Sequence, residues 1–257
     1  MIRGTGLGLL ARRLLGIKAP EREPETALPA HEQSINAMPA EGFGLRAALA
    51  GLSKRGFNPG VVYDVGASDG ILTRVSESIW PSAKYVCFEP LQEHKAALEK
   101  LTTDYPGKVQ IVPVGLGDAD AELTMGVSTD LLGSSFAYEI GSERTLPVRR
   151  LDGLLATGLI PPPNFMKLDV QGFELRVLAG GAKALETTEV ILMECQFFAF
   201  CQDMRTLDET ILHMRDLGYV PYEFVDFMRR PLDDAMGQCD LIFVKRGHPL
   251  ISNNNWA

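Results

Sequence analysis

Val61-Val62-Tyr63-Asp64-Val65-Gly66-Ala67-Ser68-Asp69-Gly70, taken with Phe88-Glu89-Pro90 further along, decides how this chain is read. Val61 to Val65 is a short, mostly β-branched apolar run, as a parallel strand covered on both faces requires. Gly66 and Gly70 bracket a turn where the backbone comes close to a ligand or takes a positive φ. Glu89 closes the next apolar run, Tyr85 to Phe88, about 20 residues beyond the turn, the length of one strand-helix-strand unit. Strand, glycine turn, helix start, second strand and terminal acid together are the layout of a nucleoside site.

The spacing departs from a dinucleotide fingerprint. That pattern cradles a pyrophosphate with G-x-G-x-x-G. Here Ser68 stands where the second glycine belongs, and Asp64 precedes the first. A carboxylate at the mouth would repel a phosphate and suits an amine-bearing ligand better. The D-x-G-x-x-x-G form resembles motif I of class I S-adenosylmethionine-dependent methyltransferases. That resemblance implies cofactor contacts from Asp64, Gly66, Ala67, Ser68 and Gly70, with Glu89 on the ribose hydroxyls and Pro90 beside it.

Composition bounds the remainder. A chain of 257 residues with 46% hydrophobic content fits one large α/β domain plus an appendage. The net charge of −8 argues against a general nucleic-acid binder. Cys87, Cys195, Cys201 and Cys239 lack metal-finger spacing and read as reduced thiols of a cytoplasmic protein. No apolar stretch is long enough to span a membrane. Residues 1–18 carry Arg3, Arg12, Arg13 and Lys18 and no acid. Leu7, Leu10, Leu14 and Ile17 recur there at helical spacing, so the segment is either a frayed tail or a basic helix making weak peripheral contact with an anionic membrane. A Pro- and Glu-rich linker completes residues 1–40, the domain follows over 41–248, and 249–257 reads as a loose tail.

The expected elements follow in order. Helices are expected over Gly44 to Lys54, Ile71 to Ile79 and Leu91 to Leu101, with a third strand over Val109 to Val114. Asp118, just past that strand, either accepts from an adenine amino group or shapes a turn. Ala121 to Val127 reads as a short extra strand or hairpin arm, and Leu131 to Ser142 as a flexible lid over the site. Val190 to Met193 is the fifth strand, ending at Glu194. The aromatic run Phe197 to Phe200 either floors an acceptor pocket or is core. Leu207 to Leu217 is a helix whose His213 reads as structural, and two further strands close the sheet.

The second constellation is Lys167-Leu168-Asp169-Val170-Gln171-Gly172-Phe173-Glu174, a strand that breaks at Gly172 and leads into an expected helix, Leu175 to Leu185. Lys167 and Asp169 are two apart and share a face. K-x-D-V-x-G-x-E followed by Val177-Leu178-Ala179-Gly180 resembles the signature of the FkbM-type methyltransferase family, over about Val61 to Lys245. The family commonly has Glu where this chain has Gln171. The resemblance implies a Rossmann-like α/β sandwich: a mostly parallel seven-stranded sheet with an antiparallel last strand and helices on both faces. It also implies S-adenosylmethionine as methyl donor and a hydroxyl of a sugar, glycan or secondary metabolite as acceptor. Within it, Asp169 is expected as base or acceptor-orienting group, Lys167 to place it, and Glu174 or Glu194 to grip other hydroxyls. The alternatives are Mg²⁺ held by Asp169 and Glu194, a nitrogen or protein acceptor, and a silent nucleoside-binding module.

Overall fold

The computed structural model describes residues 44–201, 204–253 and 255. The basic segment and linker expected at 1–40 lie outside them. The sheet grows outward from β1 (Val61–Val65), which pairs in parallel with β2 (Lys84–Phe88) on one side and β7 (Phe165–Leu168) on the other. β2 continues to β3 (Val109–Val112), and β7 to β8 (Val190–Gln196), both in parallel. β10 (Met236–Lys245) enters antiparallel between β8 and β9 (Tyr219–Arg229). The seven-stranded order is β3-β2-β1-β7-β8-β10-β9, with β10, the last strand in the chain, reversed as expected. Strand order turns over between β1 and β7, and open α/β sheets bind ligands outside the strand ends at that point.

Register explains how one face of the sheet changes character. Val62, Phe165, Val190 and Val244 stand opposite one another across β1, β7, β8 and β10. Neighbours in register point the same way. This row packs against Leu49 and Leu52 of α1 (Leu45–Lys54) and Leu72 of α2 (Ile71–Glu77). Two residues on, the aligned row is Asp64, Lys167, Leu192 and Ile242. Beyond that come Glu194, Asp240 and Asp226, again mutually in register. The face is apolar where helices cover it and charged where the strands end. On the opposite face, Tyr63, Met166, Ile191 and Phe243 pack against Leu151 of α4 (Leu151–Ala156) and Val177 of α5 (Glu174–Ala179).

Several expectations are corrected. The helix expected over Leu175 to Leu185 is two helices, α5 and α6 (Ala182–Thr187). A Cβ at Gly180 would overlap the Gly117 carbonyl, so the chain turns there in close contact with its neighbour. The Asp152 carboxylate then caps α6, accepting from Lys183 N at 2.9 Å and Ala184 N at 3.2 Å. The helix expected from Leu91 begins as a 3₁₀ turn, Gln92–His94, before α3 (Lys95–Asp104). β5 (Ala121–Val127) is the extra strand expected there. It pairs with β6 (Ser142–Arg149), which also meets β4 (Gly115–Leu116), in a separate three-stranded sheet. The stretch expected as a lid does border the cavity, through Leu131, Leu132, Ser134 and Phe136, and it is anchored there: Ser135 N and Gly126 N exchange hydrogen bonds with each other's carbonyls at 2.9 and 2.8 Å, and Ser135 Oγ donates to Gln171 O at 2.7 Å. Past His248 the tail is tied down through Ile251: Leu250 and Ile251 pack on the core, and His248 Nε2 lies 2.9 Å from Glu189. Helix α7 (Leu207–Asp216) runs as expected.

Candidate active site

Three loops meet at the carboxyl edge, after β1, β2 and β7. Gly66 N and Ala67 N both donate to Phe88 O, at 3.0 and 3.1 Å, and Asp169 N donates to Val65 O at 3.1 Å. Gly66 takes φ +75, and a Cβ there would overlap the Asp169 carbonyl. The first glycine is therefore fixed by the passage of the β7 loop as much as by any ligand. Ser68 adopts φ +50, unusual for a residue with a Cβ. Its N–H donates to Glu89 Oε2 at 2.9 Å, while Leu91 N donates to Glu89 Oε1 at 2.9 Å. Burial raises the Glu89 carboxyl above its ordinary value, and these two N–H groups oppose that rise.

Asp64 is 1% exposed. Its Oδ2 accepts from Thr73 Oγ1 at 2.9 Å, and its Oδ1 has no partner. Burial pushes its pKa up to about 6, against the pull of the Lys167 ammonium. Lys167 Nζ donates to Asp169 Oδ2 at 2.8 Å, and Gln171 Nε2 donates to Asp169 Oδ1 at 2.8 Å. Burial alone would depress Lys167, but the Asp169 and Asp64 carboxylates override it and hold the ammonium above its ordinary value. Asp169 is thus gripped once on each oxygen.

Glu174 and Glu194 turn out differently from the expectation. Glu174 Oε1 accepts from Val170 N at 3.0 Å and Gly172 N at 3.2 Å, so it braces the loop from beneath. Burial lifts it to about 7. Glu194 sits in a nest of carboxamides: Gln171 and Gln238 donate to Oε2 at 3.2 and 3.0 Å, and Gln196 to Oε1 at 2.5 Å. Burial raises its carboxyl well above the ordinary range. Neither side chain lines the cavity. The pairing of Asp169 with Glu194 as Mg²⁺ ligands is not supported, because N–H donors occupy the faces of Glu194 that a cation would need. Among the described residues no three His, Cys, Asp or Glu side chains form a metal-binding group.

A cavity of about 640 Å³ opens over these loops. That is within the usual range for a small-molecule site. Asp64, Gly66, Ala67, Ser68, Glu89 and Pro90 line it, as do Lys167 and Asp169. Gly70 instead precedes α2, and Asp118 ion-pairs with Arg176 at 3.9 Å; neither reaches the lining. Phe88, Leu91, Leu116, Met125 and Phe136 supply apolar wall. Of the aromatic run, Phe198 lies under the Arg230 guanidinium, 3.8 Å from its ring centre, outside the lining. Sequence reasoning missed Asp226 and Asp240, which do line the cavity. Burial raises both carboxyls, Asp240 to about 7. Asp240 opens a recognisable strand, but only cross-strand register carries it to the site.

The methyltransferase FkbM domain profile matches residues 64–221, more than half of the chain. The chain belongs to this family. Among curated relatives, the hexuronic acid methyltransferase AglP of Haloferax volcanii is 26% identical over 136 residues, covering 52% of this chain and 55% of that protein. The 2-O-methyltransferase NoeI of Sinorhizobium fredii is 28% identical over 157 residues, covering 52% of this chain and 62% of that protein. The chain thus matches little more than half the length of either relative. A solved structure of magnesium protoporphyrin IX methyltransferase from Synechocystis is similar at 12% identity, with 95% of this chain and 92% of that one covered and a TM-score of 0.45. In this FkbM chain the loop after β7 contributes Asp169, Val170 and Gln171 to the cavity lining.

Proposed function

We propose that this protein is an S-adenosylmethionine-dependent methyltransferase that O-methylates a hydroxyl of a sugar, glycan or secondary metabolite. The observation that carries the reading is the cavity at the switch point, with Asp64 and Glu89 on its nucleoside side and the Lys167–Asp169 pair beside them. Asp64 Oδ1, buried and without a partner, fits the ammonium of the donor's amino-acid tail. Glu89 keeps a lone pair on each oxygen after its two N–H bonds, enough to receive ribose hydroxyls. The apolar walls suit an adenine ring.

S-adenosylmethionine, when bound, supplies a methyl group on a sulfonium. The chain's own contribution is to hold an acceptor hydroxyl in line and receive its proton. Asp169 suits that task, since Lys167 and Gln171 fix its orientation and each of its oxygens keeps room for a further donor. As the acceptor oxygen gains the methyl, its proton passes to Asp169, and Lys167 steadies the carboxylate before that transfer. The relatives are named for a hexuronic acid and for a 2-O position, and both names fit transfer to a carbohydrate-like hydroxyl. A cytoplasmic setting suits Cys195 and Cys239, which face each other across β8 and β10 as free thiols. Among the described residues no helix is long and apolar enough to cross a membrane.

Calorimetric titration with S-adenosylmethionine, its demethylated product and NAD, in the presence of chelator, tests the cofactor assignment. Binding of both sulfur nucleosides without NAD is expected. A folded sample that binds neither would overturn the proposal.

A further inference from the structure

Among the described lining residues every Asp, Glu, Lys or Arg other than Lys167 is an acid. Beyond Lys167 and Asp169, the charged face of the sheet continues to Asp240 and Asp226, opposite each other on β10 and β9 and both in the lining. Elsewhere in the same lining are Asp69, which Arg74 pairs at 3.5 Å, and Asp130 on the segment after β5. Among the described lining residues Lys167 is the single Lys or Arg, and its ammonium is committed to Asp169 at 2.8 Å. Among the described residues no unpaired Lys or Arg lines the cavity.

Gln171 supplies an independent sign of what belongs there. It lines the cavity, is 5% exposed and takes the strained φ of +55. Its Nε2 lies between the Asp169 and Glu194 carboxylates, which fixes the other end of the amide as oxygen. That Oε1 is buried with no partner. A buried carbonyl oxygen without a donor is costly, by about 1–3 kcal/mol. A ligand hydroxyl or ammonium would satisfy it, and a ligand carboxylate would not. The Gln171 side chain is a neutral amide. It still offers an acceptor and no positive charge.

Resting on the methyltransferase reading above, we propose that the acceptor is a sugar bearing only hydroxyl or ammonium groups where it faces Asp226 and Asp240. Sugars carrying a carboxylate, sulfate or phosphate there are turned away. Selectivity comes from the Asp226–Asp240 pair and the Gln171 carbonyl, which reward donors and repel anions. The site thus differs in kind from one made for a hexuronic acid, the substrate for which the Haloferax relative is named.

Three probes of one shape test this: methyl glucoside, methyl glucuronide and methyl glucosaminide, each titrated into the full chain saturated with S-adenosylhomocysteine at pH 8. That pH lies above the value of about 7 to which burial lifts Asp240, so its carboxylate is ionised. The glucoside and glucosaminide should bind at least about tenfold more tightly than the glucuronide, the size of one like-charge encounter. In Asp226→Asn/Asp240→Asn the deficit of the glucuronide should shrink about threefold or more, relative to the glucoside. Glucuronide binding equal to glucoside binding would overturn the charge selection. Capture of none of the three sugars by protein that does bind S-adenosylhomocysteine would overturn the sugar assignment and leave the cofactor reading intact. A folded protein that fails to bind S-adenosylhomocysteine would instead remove the methyltransferase reading itself.

Discussion

At the scale of single residues, this site depends on where each carboxylate finds its donors. Asp169 has Lys167 on one oxygen and Gln171 on the other, so Asp169→Asn keeps size and one acceptor but cannot take a proton. Methyl transfer should fall by roughly 10²-fold or more, the usual contribution of a positioned base, with affinity for S-adenosylhomocysteine changed less than about threefold. Wild-type turnover in that variant would remove Asp169 from its role. Asp64 gives a pH signature. Its pKa is lifted to about 6, so the carboxylate needed to hold an ammonium is lost as pH drops through that value. Cofactor affinity measured between pH 5 and 8 should rise with pH in the native chain and stay low and flat in Asp64→Asn. A flat native profile would show that Asp64 does not carry the ammonium.

At the scale of elements, the loop between β7 and α5 is braced by one buried side chain. Both loop N–H groups, from Val170 and Gly172, reach the same oxygen of Glu174. Glu174→Gln retains that oxygen and removes the charge, whereas Glu174→Ala strands two donors. Because burial raises Glu174 from 4.5 to about 7, the folded chain prefers its protonated form. That contribution is complete below pH 4.5 and is lost as pH rises through about 7. Its full extent is on the order of 3 kcal/mol. Urea unfolding of Glu174→Gln should therefore show a smaller decline between pH 5 and 8 than the native chain, with equal or greater stability at pH 8. Glu174→Ala should show the same flattened pH dependence as Glu174→Gln but lie about 1–3 kcal/mol below it for its unpaired N–H groups. If Gln and Ala are equally stable, the brace is not what holds this loop. Gly180 acts at the same scale, as the corner between α5 and α6 against the Gly117 carbonyl. Gly180→Ala should cost about 1–3 kcal/mol by forcing those two backbones apart.

At the scale of the whole molecule, the nucleoside side draws on β1, β2 and β7 at once, so occupancy should stabilise the fold as a unit. A ligand at a hundred times its dissociation constant adds about 2.7 kcal/mol to unfolding. For a chain of this size that is a rise of several degrees in the melting temperature. S-adenosylhomocysteine should produce that rise in the native chain. Glu89→Ala should lose most of it at the same ligand concentration, because Glu89 joins the β1 loop to the end of β2 as well as facing the cavity. An undiminished shift in Glu89→Ala would place the ribose elsewhere.

The sequence by itself determined the strands that run through the core, the glycine turn at Gly66, the acid at Glu89 and the Lys167–Asp169 pair. These are local signals: an apolar run of one strand's length, a turn with its special residue, and two side chains two apart on one face. The family signature drew on the same stretches. Only the tertiary structure decided which acids meet. Asp118, near a strand end in the chain, turns to Arg176 instead of the cavity, while Asp226 and Asp240 join it through the antiparallel register of β9 and β10. The same holds for Glu174 and Glu194, legible as ionisable groups at the right edge yet turned to backbone N–H groups and carboxamides. The pairing of β5 with β6 and the break at Gly180 also depend on contacts between distant segments. A strand's pattern states which residues share a face, but which strand lies alongside, and in what register, is set by packing across the whole sheet.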